Sequence, residues 1–335
     1  MALKRPGVNH RAAVVFHGAA VITRPDRRAL LQSLYGFELP DDVFQFWEFA
    51  NRLRPLEPLQ ALSELNGLHL VGPFEVLAGR FDRYTPRLPF CLHWRYHDDP
   101  PEFFTVLAGG DDGFHRGYYF DDPAEPSPCI TSYFTNAPFE MHSEADSLFE
   151  AVRLDLERSY RDCDEQRLNE PSQTFDCEMK MREIDAARTR LVRFATGDRP
   201  ETGEEYEERY PERSARSRRV VAATLDGMGI IVPKHAYRAL EVKDKALWRR
   251  LRTDENPTNL VSEAMEALRS GFPGTALKLG KDLHAIGGEM RSRHAVELLD
   301  AAYGALGREV LRNILREHQK YAHLPSVDIL ENDQN

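Results

Sequence analysis

A cysteine, two histidines and two aspartates lie close together between positions 91 and 99 and form the most metal-like set in the chain. Cys91 and His93 are two residues apart, so on a strand their side chains would share one face, with His97, Asp98 and Asp99 just beyond. No second pair has zinc-finger spacing, and the four cysteines include no Cys-x-x-Cys. We therefore interpret Cys91 as a core cysteine and the histidines as partly exposed residues at a strand end, and we predict no metal.

Carboxylates also gather at residues 98–102, where two prolines separate Asp98 and Asp99 from Glu102. Consecutive prolines fix the backbone, which suits either a rigid corner or a firmly held Glu102, and the residues alone favour the corner. The chain has no Gly-x-Ser-x-Gly elbow and no Gly-x-x-x-x-Gly-Lys phosphate loop, and residues 109–113 form an acidic turn that would repel phosphate. The sequence therefore contains no self-contained catalytic motif.

Tyr237 and Arg238 are candidates for binding rather than catalysis. They follow a predicted hairpin and Pro233, and exposed aromatic–arginine pairs of this kind anchor protein interfaces. Judged by these residues alone, an ordinary solvated loop is the favoured interpretation.

The elements that must position these candidates predict an α+β fold with an antiparallel sheet flanked by helices. Short β-forming runs alternate with turn residues in the first half of the chain, which is typical of an antiparallel meander. The predicted strands are 68–74, 89–96, 102–108, 116–120 and 129–134, and the predicted helices around them are 28–34, 39–53 and 148–156.

The last third of the chain predicts a helix-rich part that opens with a β-hairpin. Residues 220–225 and 228–232 flank Asp226-Gly227, a pair that suits a type I′ turn. The predicted helices that follow are 259–269, with Asn259 as N-cap, then 274–285 and 295–318.

Changes in composition along the chain predict where its parts begin and end. Aromatic residues become rare after position 160, where a charged helix over 178–194 and a solvated linker are expected. The predicted parts are a variable N-terminal segment (1–25), an α+β domain (26–160), a charged helix and linker (161–218), a C-terminal partner-binding domain (219–324) and a tail (325–335).

The overall charge and composition restrict the class of protein. The 335 residues carry a net charge of −10, which argues against a protein that grips nucleic acid with its whole surface. The longest apolar runs are far shorter than the ~20 residues of a membrane helix. Four scattered cysteines give no disulfide framework, so an intracellular location is expected.

Six strings, in order, resemble the histone PARylation factor family. They are LPDDVFQFWEF (Leu39–Phe49), LVGPFEVLAG (Leu70–Gly79), LHWRYHDDPPEF (Leu92–Phe103), HRGYYFDDP (His115–Pro123), VPKHAYR (Val232–Arg238) and ALKLGKDL (Ala276–Leu283). The resemblance covers roughly residues 30–320. The first string is also similar to SUKH-type immunity proteins, so the N-terminal part is expected to be SUKH-like.

This resemblance implies an accessory role in ADP-ribosylation. Family members bind the catalytic domain of DNA-damage-activated poly(ADP-ribose) polymerases and redirect ADP-ribose from NAD onto serine hydroxyls, notably of histones. The implied partners are therefore a polymerase-like transferase and a histone or other serine-bearing protein, without direct nucleic-acid or membrane binding. NAD would be used by the transferase, and this chain would bind no cofactor itself. The implied location is nuclear for a eukaryotic member and cytoplasmic for a bacterial one.

The family's functional residues match this chain only in part. A tyrosine–arginine docking pair matches Tyr237 and Arg238, which favours the interface interpretation over the solvated loop. Serine transfer requires a general base, which the family supplies as a glutamate beside an aspartate. An ungapped alignment through 276–283 places Arg269 and Ser270 at that acidic pair. A family histidine falls at Glu289.

Three explanations of this substitution are open. In the first, a small insertion or deletion lets Glu266, one turn before Ser270, act as the base. In the second, Glu289 replaces the base from the other side of the site. In the third, which is favoured, the accessory chemistry is lost or altered. The chain is then no enzyme on its own, and at most lends a base to a composite site. The alternative function is a SUKH-like immunity or interaction module without a catalytic role.

Overall fold

A four-stranded antiparallel sheet, whose strands pair in chain order, forms the centre of the N-terminal part. The structure is a computed structural model that describes residues 26–82, 86–109, 113–125, 128–135, 140–141, 143–196, 215–253 and 256–332. The strands are β1 (Leu68–Leu70), β2 (Phe103–Gly109), β3 (Phe114–Tyr119) and β4 (Cys129–Phe134). The predicted α+β class is confirmed, and β4 has the predicted bounds.

Two of the predicted strands are wrong over most of their length. The strand predicted at 68–74 ends at Leu70, because Gly72 takes a left-handed φ of 61° and Pro73 begins a short helix, α4 (Pro73–Ala78). The strand predicted at 89–96 is a turn around the 3₁₀ helix Phe90–Leu92. Cys91 and His93 therefore do not lie on one face of a strand.

Helices precede and follow the four strands along the chain. The first three are α1 (Arg27–Tyr35), α2 (Asp41–Leu53) and α3 (Ser63–Asn66), and a 3₁₀ turn at Pro58–Gln60 lies between the last two. The predicted helix 148–156 continues to Asn169 as α5 (Leu148–Asn169), capped by Ser147, and α6 (Thr174–Thr196) packs against it. Both helices carry many charges on their exposed faces, which is why the apolar pattern underestimated their lengths.

The hairpin predicted at 220–232 is wrong in its details, since only one residue pair, Ala222 and Ile230, forms a bridge. The side chain of Asp226 explains the difference. Its carboxylate turns inward, where it accepts a hydrogen bond from the backbone N–H of Met228 (3.0 Å) and lies 3.2 Å from the ammonium of Lys281. These interior contacts replace the ladder that a regular hairpin would form.

Five helices complete the described chain before the C-terminal turn. They are α7 (Asp244–Arg252), α8 (Thr258–Arg269), α9 (Pro273–Ile286), α10 (Glu289–Ala305) and α11 (Glu309–Lys320), followed by α12 (Ile329–Asn332). The long helix predicted at 295–318 is two helices, because Gly307 adopts a φ of 72° between α10 and α11. Asn259 lies inside α8 rather than capping it; Asn256 accepts from the N–H of Thr258 instead.

Buried apolar side chains from Leu31 to Ile329 form one contiguous cluster that includes sheet and helices of both parts. None of the described helices is long and apolar enough to cross a membrane. The segment 1–25, the acidic stretch 201–208 and most of the linker lie outside the described residues. The predicted domain boundaries stay a prediction.

Candidate functional site

Tyr237 and Arg238 lie at the N-terminal end of α9, directly after a 3₁₀ turn formed by Lys234–Ala236. Arg238 is exposed, whereas Tyr237 is half-buried. Burial raises the pKa of Tyr237, although the nearby charge of Lys278 acts to lower it. The hydroxyl is therefore neutral at physiological pH. The pair therefore presents an exposed guanidinium beside an uncharged aromatic ring.

Close packing explains why these two residues are held at this end of the helix. Gly274 faces the segment that leads into Tyr237, and a Cβ at this glycine would lie 2.8 Å from Cγ2 of Val232 and 2.9 Å from the carbonyl oxygen of Ala236. The same Cβ would lie 3.3 Å from that of Tyr237. Only a glycine allows α9 to approach this segment so closely.

The main chain and side chain of Arg238 both contact the first residues around α9. Its backbone N–H donates to Oγ1 of Thr275 at 3.2 Å, and the Thr275 hydroxyl donates to the Arg238 carbonyl. Its guanidinium lies over the ring of Phe272, 4.8 Å from the ring centroid. Arginine stacked in this way keeps its N–H donors free for a carboxylate or carbonyl partner.

The positions that match the family's acidic pair lie close to Arg238. Arg269 ends α8, and Ser270 and Gly271 connect it to Phe272. Glu266 lies one turn earlier, 3.5 Å from the guanidinium of Arg269, and both side chains are about two-thirds exposed. Arg238 therefore stacks on the link that follows Arg269 and Ser270, and the carboxylate of Glu266, one turn before that link, is held in an ion pair with Arg269.

Glu289 is placed at the opposite end of α9. This helix has 14 residues, so it separates its two ends by about 21 Å. Glu289 begins α10 just beyond the C-terminal end of α9 and is exposed there. The structure therefore does not bring Glu289 to the surface that carries Arg238.

A buried charged group supports the site from the interior side of α9, and the sequence analysis missed it. The ammonium of Lys278 lies 2.9 Å from Asp282 and 3.0 Å from Asp244. Asp282 also accepts hydrogen bonds from the backbone N–H of Leu225 (2.7 Å) and the indole N–H of Trp248 (3.2 Å). These carboxylates raise the pKa of Lys278 although burial alone would lower it. A lysine and an aspartate four residues apart in an apolar helix were the signal for this pair.

Lys281 connects the same helix to the sheet. Its ammonium donates to the hydroxyl of Tyr119 and to the carbonyl of Gly229 (3.0 Å), and it lies 3.2 Å from Asp226. Burial raises the pKa of Tyr119 well above its ordinary value, so the phenol stays neutral. Because all these groups are buried, α9 has a fixed position relative to β3.

The histidines and aspartates between positions 91 and 99 contact different partners and do not converge on one point. The Nε2 atom of His93 lies 2.6 Å from Glu75, and Nε2 of His115 lies 3.1 Å from Asp99. The hydrogen bond from His115 and the charge of Arg95 lower the pKa of Asp99 despite its burial. Among the residues that the structure describes, no group of three such side chains could hold a metal ion.

The corner at residues 98–102 is rigid and mostly interior. Asp99 accepts from the N–H of Tyr96 at 2.8 Å, and the carbonyl of Glu102 accepts from the N–H of Phe120 at 2.8 Å. The side chain of Glu102 is only 2% exposed and faces Tyr303. No acceptor substrate could reach a carboxylate in that position.

Comparison with known proteins shows similarity over nearly the whole chain. Residues 26–321 match the family model described as histone PARylation factor 1. A histone PARylation factor 1 from Bos taurus is 30% identical over 325 residues, which cover 91% of this chain and 89% of that protein. The protein of that name from Danio rerio is 29% identical, covering 88% and 85%. A putative histone PARylation factor 1-like protein from Homo sapiens is 27% identical, covering 90% and 88%.

Proposed function

The chain belongs to the histone PARylation factor 1 family, and from this premise we propose that it is an accessory factor in protein ADP-ribosylation. In this role it docks on the catalytic domain of a poly(ADP-ribose) polymerase-type transferase and directs modification to histone acceptors. The transferase binds and cleaves NAD, so this chain needs no cofactor of its own.

The observation that carries the docking proposal is the preformed pair of a half-buried Tyr237 and an exposed Arg238. Tyrosine and arginine are enriched among the residues that dominate binding energy at interfaces. The backbone of Arg238 is hydrogen-bonded to Thr275, and its guanidinium is stacked on Phe272. The guanidinium therefore remains at the surface. A partner carboxylate could therefore bind Arg238 without a rearrangement of this chain.

Histone acceptors fit the charge of the chain. With a net charge of −10 the protein attracts the lysine- and arginine-rich tails of histones, and such long-range attraction mainly increases the rate of encounter. Opposite charge thus favours delivery of a basic acceptor to the docked transferase.

If serine is the acceptor, we propose Glu266 rather than Glu289 as the base. A base must come within hydrogen-bond reach of the hydroxyl proton it removes. Glu266 lies on α8, which leads into the Phe272 on which Arg238 stacks, whereas Glu289 lies beyond the opposite end of α9, a helix about 21 Å long. The guanidinium of Arg269 competes with an acceptor hydroxyl for the Glu266 carboxylate, so serine transfer is expected to be weak.

Binding is tested first, with a DNA-activated polymerase catalytic domain captured on a biosensor. We expect the wild-type chain to bind and Arg238→Glu to abolish binding. Arg193→Glu is the matched control, because Arg193 is exposed in the last turn of α6 and the same charge is reversed there. Equal loss in both variants, or binding that ignores Arg238→Glu, would contradict docking through this residue.

Acceptor choice is tested second, with labelled NAD, the transferase and a serine-bearing histone peptide. We expect histone labelling to increase when the chain is present, and the serine-linked fraction to disappear in Glu266→Gln but not in Glu289→Gln. Labelling that is independent of the chain would contradict an accessory role. Loss of serine labelling in Glu289→Gln alone would contradict the assignment of the base.

A further inference from the structure

A buried hydroxyl lies directly behind the exposed Arg238. Thr275, in the first turn of α9, is 2% exposed, and its side chain accepts from the Arg238 N–H and donates to the Arg238 carbonyl. One side chain therefore satisfies both backbone polar groups of one surface residue, as a neighbouring strand would do in a sheet.

The same turn also fixes the side chain of Arg238. Phe272, on whose ring the guanidinium lies, precedes the proline that begins α9, and its N–H donates to the carbonyl of Ala267 at 2.9 Å. The link between α8 and α9 thus holds the ring, while Thr275 holds the backbone. The direction in which Arg238 points is set by residues of a rigid helical corner and not by its own loop.

We propose that Thr275 is a positioning residue that preorganises Arg238 for the transferase. The proposal rests on the proposed docking function and names the device by which that site is held ready. Because Thr275 is buried, a docking partner does not touch it, and its hydroxyl acts only through Arg238. If Arg238 adopts its binding conformation for only a fraction of the time, the apparent affinity equals the intrinsic affinity multiplied by that fraction.

A positioning residue and a contact residue are expected to affect different rate constants of binding. Removal of a contact residue weakens the formed complex, so it mainly raises the dissociation rate, as most interface substitutions do. Removal of the Thr275 hydroxyl leaves the contacts of Arg238 in the complex intact but lowers the population that can form them. We therefore expect Thr275→Val to act on the association rate.

The test compares three threonine variants of the full chain on the captured catalytic domain. Thr275→Val keeps the shape but removes both hydrogen bonds, and Thr275→Ser keeps the hydroxyl. Thr131→Val is the matched control, because Thr131 is fully buried on β4 and its hydroxyl has no hydrogen-bond partner among the described residues. We expect Thr275→Val to associate about tenfold more slowly, with a dissociation rate within about twofold of wild type, and the other two variants to match wild type.

Several results would overturn the proposal. An unchanged association rate in Thr275→Val, an equal loss in Thr275→Ser, or a loss confined to dissociation would each remove the positioning role. If Thr275→Val does not fold by circular dichroism, Phe272→Leu takes its place, since it removes the ring under Arg238, and an unchanged association rate there is equally decisive. Failure of the wild-type chain to bind at all would instead refute the docking function itself.

Discussion

Replacement of Gly274 by alanine tests whether the close contact between α9 and the docking segment matters for binding. The new Cβ would lie 2.9 Å from the Ala236 carbonyl and 2.8 Å from the Val232 methyl, whereas ordinary contacts begin near 3.4 Å. The backbone at Ala236 must therefore move by about half an ångström, and Tyr237 and Arg238 are the next two residues in the chain.

The expected cost follows from two opposing effects. Overpacking of a buried position costs about 1–3 kcal/mol, while alanine in place of glycine gains up to about 1 kcal/mol of helix propensity, less in a first turn. The free energy of unfolding should therefore fall by about 1–2 kcal/mol. Because the strain is released toward the surface at Arg238, affinity for the transferase should fall by several-fold, more than stability alone explains at a temperature where the protein stays folded.

Urea unfolding and biosensor binding measure the two effects separately. Gly304→Ala is the matched control in helix α10, because a Cβ there meets mainly the flexible guanidinium of Arg312, with Nη1 at 3.1 Å. This variant should change stability by less than about 1 kcal/mol and leave binding intact. A Gly274→Ala protein with wild-type stability and wild-type affinity would refute the view that this glycine sets the position of the docking pair.

Three other predictions follow from the site and its support. Arg269→Ala should raise serine labelling several-fold by releasing Glu266, and unchanged labelling would show that the ion pair is not the restraint. Asp282→Ala should cost about 3–5 kcal/mol in urea unfolding, because it leaves the buried ammonium of Lys278 with one exposed partner; a cost under 1 kcal/mol would contradict this. Burial, together with nearby cations, lowers the pKa of His318 to about 3, so only the unfolded chain takes up this proton near pH 6.5. Stability should fall by up to about 1.4 kcal/mol per unit as pH drops below 6.5, and His318→Gln should flatten that slope.

The apolar pattern predicted those elements whose formation depends on local sequence. Strand β4 was found because it is a short run of β-forming residues, and helix α2 because its buried residues recur with a period of about 3.6. The strand predicted at 89–96 failed because its apolar residues are buried by a turn, which has no period. The hairpin at 220–232 failed because Asp226 bonds to a lysine 55 residues away, and such a contact leaves no local signal.

The candidate site shows the same division between local and distant contacts. Tyr237 and Arg238 were candidates by residue type and by their place after a proline, but only the resemblance to a family favoured them over a solvated loop. Thr275 and Gly274 could not be chosen, because their roles depend on a segment about 37 residues earlier in the chain packing across them. Spacing within one helix could have identified only Lys278 and Asp282.

The string ALKLGKDL is a weak guide to chemistry, although it contributes to the resemblance. Its polar residues Lys278, Lys281 and Asp282 are all buried and hold α9 against α7 and the sheet. A chain can therefore keep this string for the sake of its fold while the exposed positions at Arg269 and Ser270 change freely. Because Arg238 hydrogen-bonds to Thr275 of the same helix, the proposed docking residue keeps its support wherever the fold is kept, even where the proposed acceptor chemistry changes.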